Sequence, residues 1–145
     1  MMSSEPVIVE RTYTSSAAKV WSALTSSAEM RQWYFDIADF KPVLGFEFNF
    51  KAGRPGNEFL HLCRVTEVVP ERKIAYSWRY EDVAGNSLVE FELFPEGEKT
   101  RVRVTHSGLE TFPKSRPDLA RENFVEGWTA ILGESLKSYL EGKSS

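Results

Sequence analysis

The chain is poor in the residues that build disulfides, metal sites and nucleic-acid interfaces. Its 145 residues include one cysteine and two histidines, and its formal net charge is -3. A single cysteine excludes an intrachain disulfide, as is typical of a reducing compartment. So few histidines and cysteines, without recurring ligand spacing, predict no metal site. A slightly acidic chain suits nucleic acid poorly, because phosphates attract a basic surface. We therefore expect no metal and no nucleic-acid partner.

Motifs for phosphate binding, nucleophilic catalysis and membrane insertion are also missing. There is no glycine-rich phosphate loop, and Ser107-Gly108 lacks the preceding glycine of a nucleophile elbow. No run of apolar residues approaches about 18, the length that a membrane-spanning helix needs. The N-terminus lacks the basic region and apolar segment of a signal peptide. We expect a cytoplasmic protein without a cofactor or membrane span, present as a monomer or a weak homodimer.

Apolar and polar residues alternate through much of the chain, which predicts strands with one apolar face. Short connections containing glycine and proline, such as Gly53–Asn57, indicate antiparallel hairpins. The predicted strands cover residues Val7 to Thr14, Phe46 to Lys51, Phe59 to Val69, Ile74 to Tyr80, Val89 to Leu93 and Arg101 to His106.

Three helices are predicted outside the strands. The first covers residues 17–25 after Ser15 or Ser16, and the second covers residues 27–34, where Ser26 and Glu29 have capping-box spacing. The third is long, from about residue 118 to residue 141. Its apolar residues recur every three to four positions and form one stripe. The stripe consists of Phe124, Trp128, Ile131, Leu132, Leu136, Tyr139 and Leu140.

The order of these elements predicts one α+β domain over residues 1–145. A strand is followed by two short helices, then by antiparallel strands, and finally by the long helix. We expect a curved antiparallel sheet of about six to seven strands around that helix, with the short helices at one end.

Four stretches carry a resemblance to a known superfamily. They are Ala18–Thr25, Met30–Tyr34, Val65–Trp78 and Thr100–Leu109, followed by Gly127-Trp128. In this order they resemble the helix-grip proteins, which include the birch pollen allergen and the lipid-transfer START domains (the SRPBCC superfamily). Within it, the chain is most similar to the branch of the activators of the heat-shock protein ninety ATPase. The resemblance implies a helix-grip fold and a hydrophobic cavity between sheet and helix.

The inward faces of the predicted elements are rich in aromatic residues. These residues form either a filled core or the lining of a cavity that binds a small apolar or aromatic ligand. We expect the mouth of such a cavity near Trp33, Tyr34 and Phe35 and near the Gly53–Asn57 turn. The candidate ligand-binding residues are Trp33, Phe35, Phe48, Phe59, His61, Tyr76, Trp78, Phe91, His106, Phe124 and Trp128.

The sequence leaves three functions open. The favoured one is a cytoplasmic module that binds a small hydrophobic ligand. The second is a stress-related protein-interaction module like the heat-shock ATPase activators. The third is a cyclase-like or hydrolase-like enzyme, in which Tyr76, His61 or His106 would act as acid or base. A histidine on an apolar face is also commonly a hydrogen-bonded core residue, so these three are weak catalytic candidates.

Overall fold

A six-stranded antiparallel sheet forms the centre of the fold. The computed structural model describes residues 6–35, 37, 39–54, 57–81, 83–113, 119 and 121–141, without the side chains of 52–54 and 57–59. In the sheet the strands follow the order β1-β6-β5-β4-β3-β2, and every neighbouring pair is antiparallel. The strands are β1 Val7–Tyr13, β2 Glu47–Arg54, β3 Asn57–Val69, β4 Lys73–Tyr80, β5 Ser87–Glu96 and β6 Lys99–Ser107.

The alternation of the strands decides which face of the sheet is buried. Along β5, Val89, Phe91 and Leu93 are buried, whereas the residues between them are partly exposed. Val104 on β6 lies opposite Phe91 and is also buried. Successive strand residues point to opposite sides, so these positions share one inner face. The predicted α+β architecture is confirmed.

The outer face of the sheet carries a network of ion pairs. Glu10 accepts hydrogen bonds from Arg101 and Arg103 on the neighbouring strand. Both guanidinium groups also lie over the ring of Phe94, at 4.4 and 5.0 Å from its centroid. These charges are therefore paired with one another on the outer face of the sheet.

The two short helices follow β1, as predicted. Helix α1 spans Ala17–Thr25 and begins with a hydrogen bond from the Lys19 N–H to the Ser16 side chain. Helix α2 spans Ser27–Trp33. The expected capping box at its start is wrong, because Ser26 makes no side-chain cap. Glu29 instead accepts hydrogen bonds from the hydroxyls of Ser22 and Tyr139, and so joins both short helices to the C-terminal helix.

The C-terminal helix is interrupted by a wider turn. Its described part consists of α3 Arg121–Ala130, a π-helical segment Ile131–Leu136 and α4 Lys137–Glu141. The Tyr13 hydroxyl donates a hydrogen bond of 2.6 Å to the Leu132 carbonyl within this segment. The predicted positions 118 and 120 lie outside the described residues. None of the described helices is long and apolar enough to cross a membrane.

The predicted turn at Gly53–Asn57 is shorter than expected. Gly53 pairs with Glu58, and Arg54 pairs with Asn57, so both strands continue through most of the predicted turn. Only residues 55 and 56 connect them. Main-chain pairing between β2 and β3 therefore includes Gly53, Arg54 and Asn57 of the predicted turn.

Candidate functional site

Aromatic rings occupy the space between the inner face of the sheet and the C-terminal helix. Neighbouring rings lie between 4.4 and 6.5 Å apart, centroid to centroid. This range is typical of favourable aromatic contacts. We call them the aromatic cluster; its members are Tyr34, Phe35, Phe48, Phe50, His61, Tyr76, Trp78, Phe91, His106, Phe124 and Trp128.

The structure brings most of the predicted site residues together. Trp33 contacts the cluster by stacking on Tyr34, with centroids 4.8 Å apart. The side chain of Phe59 lies outside the described residues. The list of candidates missed Phe50, although its alternation with Phe48 places both on the same face. The list also lacked Tyr34, which was expected only near the mouth of the cavity.

Most of the cluster is closely packed. The exposed fraction is 1% for Tyr76 and Phe91 and 2% for Trp128. An empty space large enough for water beside these rings would leave them with accessible surface. The three rings are therefore enclosed by neighbouring atoms, which matches the filled-core alternative at their positions. Tyr34 and Phe35 belong to the same cluster but remain partly exposed.

His106 takes part in a chain of buried hydrogen bonds. The Trp128 indole N–H donates to Nδ1 of His106 over 3.0 Å. Because an indole nitrogen can only donate, Nδ1 is unprotonated and Nε2 carries the hydrogen. Nε2 therefore donates to the Ser87 hydroxyl at 2.8 Å, and that hydroxyl donates to the Trp78 carbonyl at 2.7 Å.

This arrangement holds His106 in its neutral form. Burial, together with a smaller contribution from the nearby His61, lowers the pKa of His106 to about 3. Both ring nitrogens already have partners within the protein. His106 thus ties β5 and β6 to the C-terminal helix, and has no ring nitrogen available for a second molecule in this arrangement.

Two phenols meet near the centre of the cluster. The hydroxyls of Tyr34 and Tyr76 lie 2.7 Å apart and are hydrogen-bonded. Burial raises the pKa of both tyrosines well above the ordinary range, so both are neutral. The buried thiol of Cys63 lies on the same face, and burial raises its pKa as well. The site therefore offers neutral hydrogen-bonding groups inside an aromatic surround.

His61 is held among rings. It stacks on Phe50 at 4.5 Å and meets Trp78 edge to face at 4.9 Å. Trp78 donates its indole hydrogen to the Tyr80 hydroxyl over 2.9 Å. In the described part of the chain, every buried side-chain nitrogen or oxygen has a hydrogen-bond partner. A molecule that displaces one of these partners must replace its hydrogen bond.

Comparison with known proteins assigns the family. The family model described as "Activator of Hsp90 ATPase homolog 1-like protein" matches residues 14–141. The chain belongs to this family. The match extends from the end of β1 to the end of the C-terminal helix, so it includes both walls of the aromatic cluster. No curated protein matches the chain.

Solved structures share the fold over nearly their whole length. The chain is 26% identical to the Mll3558 protein from Rhizobium loti, covering 94% of this chain and 96% of that one, with a TM-score of 0.81. It is 28% identical to protein MLL2253 from Mesorhizobium loti, with coverages of 97% and 100% and a TM-score of 0.76. The Aha1 dimer from Colwellia psychrerythraea is 21% identical over 97% and 98%, with a TM-score of 0.69, and shows the fold alone.

A concave surface in this family member lies outside the aromatic cluster. It is a groove of about 450 Å³ between α2 and the C-terminal helix. Its lining residues are Gln32, Trp33, Glu134, Ser135, Ser138 and Tyr139. Trp33 thus has the groove on one side and the stacked ring of Tyr34 on the other. The groove was not predicted, because it is formed by two helices that are distant in sequence.

The catalytic candidates His61, His106 and Tyr76 belong to one aromatic cluster. His106 and Tyr76 make their described hydrogen bonds within the protein. Among the described residues, histidine, cysteine and acidic side chains form no group that could hold a metal ion. The chemical character of the site is that of neutral donors and acceptors among aromatic faces.

Proposed function

We propose that the protein binds a small aromatic ligand between the inner face of the sheet and the C-terminal helix. The observation that carries this proposal is the aromatic cluster, in which neutral polar groups converge among aromatic faces. Small-molecule sites are characteristically apolar, with a few polar groups that fix orientation. Tyr34 and Tyr76 supply two such polar groups, whose hydroxyls meet at 2.7 Å.

The geometry favours an aryl ligand over a saturated chain. Phe50 and His61 are nearly parallel, with an interplanar angle of 14°, and Phe35 stacks on Phe50 at 15°. Stacked rings add about 0.5–1.5 kcal/mol beyond the burial of area, and a saturated chain gains none of this. The phenols of Tyr34 and Tyr76 could bond a hydroxyl or carbonyl on such a ligand.

The test measures binding of each compound to the purified protein by native mass spectrometry and by calorimetry. The panel contains 2-naphthol and naringenin as aryl alcohols, with lauric acid and cholesterol as aliphatic compounds. We expect an aryl alcohol to bind with a stoichiometry of one molecule per chain. Both aliphatic compounds should bind more weakly. Phe94→Ala is the control, because Phe94 lies on the outer face between two arginines. Absence of binding by either aryl alcohol at millimolar concentration would overturn the proposal.

A second candidate is a protein-interaction role suggested by the family's description. The feature that favours it is a pair of exposed apolar residues before β2, Val43 and Leu44, which are 56% and 67% exposed. Contiguous exposed apolar surface is typical of interaction sites. The test measures the ATPase rate of the purified heat-shock chaperone with this protein and with a Val43→Ser, Leu44→Ser variant. Stimulation lost in the variant supports the role, and no stimulation at saturation excludes it.

Location and assembly complete the proposal. We place the protein in the cytoplasm, because its lone buried Cys63 suits a reducing compartment. We expect a monomer or a weak homodimer. Analytical ultracentrifugation over a hundredfold concentration range checks this expectation, and a stable dimer throughout the range contradicts it.

A further inference from the structure

Tyr34 and Phe35 differ from the other members of the aromatic cluster in how they reach it. Nearly all the others project from the sheet or the C-terminal helix. Tyr34 instead is the first residue after α2, and Phe35 follows it outside any helix or strand. Both remain partly exposed. Their principal partners are buried: Phe50 is 3% exposed and Tyr76 is 1% exposed.

The two side chains occupy the places that suit a bound molecule. The Phe35 ring stacks on Phe50 with centroids 4.5 Å apart and lies 6.1 Å from both His61 and Trp78. The Tyr34 hydroxyl bonds the Tyr76 hydroxyl at 2.7 Å. Together they present an aromatic face next to a neutral hydroxyl, at the centre of the proposed site.

Residues on either side of this pair fix the segment to the protein. Trp33 donates its indole hydrogen to the Ala23 carbonyl over 2.9 Å. Ile37 is fully buried, and its carbonyl accepts a hydrogen bond of 2.9 Å from Arg31. The main chain of the pair is also held, because the Tyr34 N–H donates to the Met30 carbonyl at 2.7 Å and the Ile37 N–H donates to the Phe35 carbonyl at 2.8 Å. Displacement of the two rings therefore requires side-chain rotation.

We infer that Tyr34 and Phe35 form an internal plug, which a planar aryl alcohol displaces by reproducing its contacts. This inference rests on the proposed function and names the ligand class and the gate of the same site. When Tyr34 leaves, the Tyr76 hydroxyl loses its partner, and an unpaired buried hydroxyl costs about 1–3 kcal/mol. A hydroxyl on the ligand restores that bond, whereas an aromatic hydrocarbon does not. 2-Naphthol therefore binds more tightly than naphthalene.

The plug competes with the ligand, so removing it raises affinity. The apparent dissociation constant is the intrinsic one divided by the fraction of molecules with an open site. We expect Phe35→Ala to bind 2-naphthol about tenfold or more tightly than the wild type. Any buried truncation leaves a cavity that can accept an aromatic molecule. The matched control is therefore Phe40→Ala, which removes a buried phenylalanine beside the cluster and leaves the plug intact. Any gain in the affinity of Phe40→Ala measures binding in a truncation cavity alone, and we expect the gain of Phe35→Ala to exceed it.

A second measurement uses the unaltered protein and does not depend on the folding of a variant. Tetranitromethane nitrates accessible tyrosines, and peptide mass spectrometry assigns the modified positions. Saturating 2-naphthalenemethanol, an aryl alcohol that carries no phenol for the reagent to nitrate, should increase nitration of Tyr34 several-fold, because the displaced side chain becomes accessible. Nitration of Tyr13 stays low, because that residue is 1% exposed and bonded to Leu132.

The outcomes separate this inference from the proposed function. In one outcome, the wild type binds 2-naphthol while Phe35→Ala gains no more affinity than Phe40→Ala and nitration of Tyr34 does not rise. That result refutes the plug and leaves the proposed ligand binding intact. If neither the wild type nor Phe35→Ala binds an aryl alcohol, both ideas fail. Binding by Phe35→Ala alone, with none by Phe40→Ala, supports a plug that is closed in the wild type.

Discussion

Lowering the pH from 7.5 to 5.0 should destabilise the protein through His106. In the folded chain its pKa is about 3, because burial disfavours the charged ring. In the unfolded chain a histidine has a pKa of about 6.5. The unfolded state therefore takes up a proton between these values and the folded state does not. The stabilising contribution is complete above about pH 6.5 and decreases as the pH falls toward 3.

The size of the effect follows from the separation of the two pKa values. Each pH unit between them changes the free energy of unfolding by about 1.4 kcal/mol. At pH 5.0, about 1.5 units below the unfolded value, the loss should be about 2 kcal/mol. The lowered carboxyl pKa values of Glu10 and Glu141 act mainly at more acidic pH, so they contribute little in this interval.

Urea unfolding at pH 7.5 and at pH 5.0, monitored by circular dichroism, tests this prediction. The comparison is between the wild type and His106→Gln. The variant should be less stable at pH 7.5, since it loses bonds to Trp128 and Ser87. Its stability should fall about 2 kcal/mol less than that of the wild type between the two pH values. Equal pH dependence in the two proteins would refute the assignment of a neutral, buried His106.

Three further predictions concern stability and can be checked by the same unfolding assay at pH 7.5. Trp128→Ala should cost about 3–5 kcal/mol, because Trp128 is 2% exposed and packed between sheet and helix; a cost below about 1 kcal/mol contradicts a packed position. Tyr13→Phe should cost about 1–3 kcal/mol, because it leaves the Leu132 carbonyl without its donor; an unchanged midpoint would show that this bond is dispensable. Gly127→Ala should stabilise the protein by about 0.5–1 kcal/mol, because this helix position is exposed and open. Gly85→Ala should destabilise the protein, because the φ of Gly85 is +109° and a Cβ there would lie 2.5 Å from the Thr111 carbonyl oxygen. The same sign for both glycine variants would contradict this contrast.

Periodicity predicted the parts of the fold that depend on one buried face. Strand alternation correctly placed Val89, Phe91, Val104 and His106 on the inner surface, because side chains in a strand point alternately to opposite sides. The helical stripe likewise placed Trp128 against the sheet. These are local patterns that a single element carries in its own sequence, so they need no knowledge of the partner.

The features that periodicity missed depend on contacts between distant residues. The wider turn at Ile131–Leu136 receives a hydrogen bond from Tyr13, more than a hundred positions earlier. Glu29 has the spacing of a cap, yet its oxygens bond Ser22 and Tyr139 instead. Tyr34 lies after a helix, where no alternation specifies its direction. Tertiary partners decide each of these cases.

The most direct test of ligand binding in the aromatic cluster is a titration with 2-naphthol, monitored through the indole N–H signals in ¹H–¹⁵N NMR. The chain has four tryptophans, which give four separate probes. Trp78 and Trp128 lie within the cluster, and their indole hydrogens bond Tyr80 and His106. We expect saturable shifts of these two signals with a common dissociation constant, while Trp21 on α1 stays unchanged. Saturable binding that leaves Trp78 and Trp128 unshifted, or no shift at millimolar 2-naphthol, would contradict a ligand site between the sheet and the C-terminal helix.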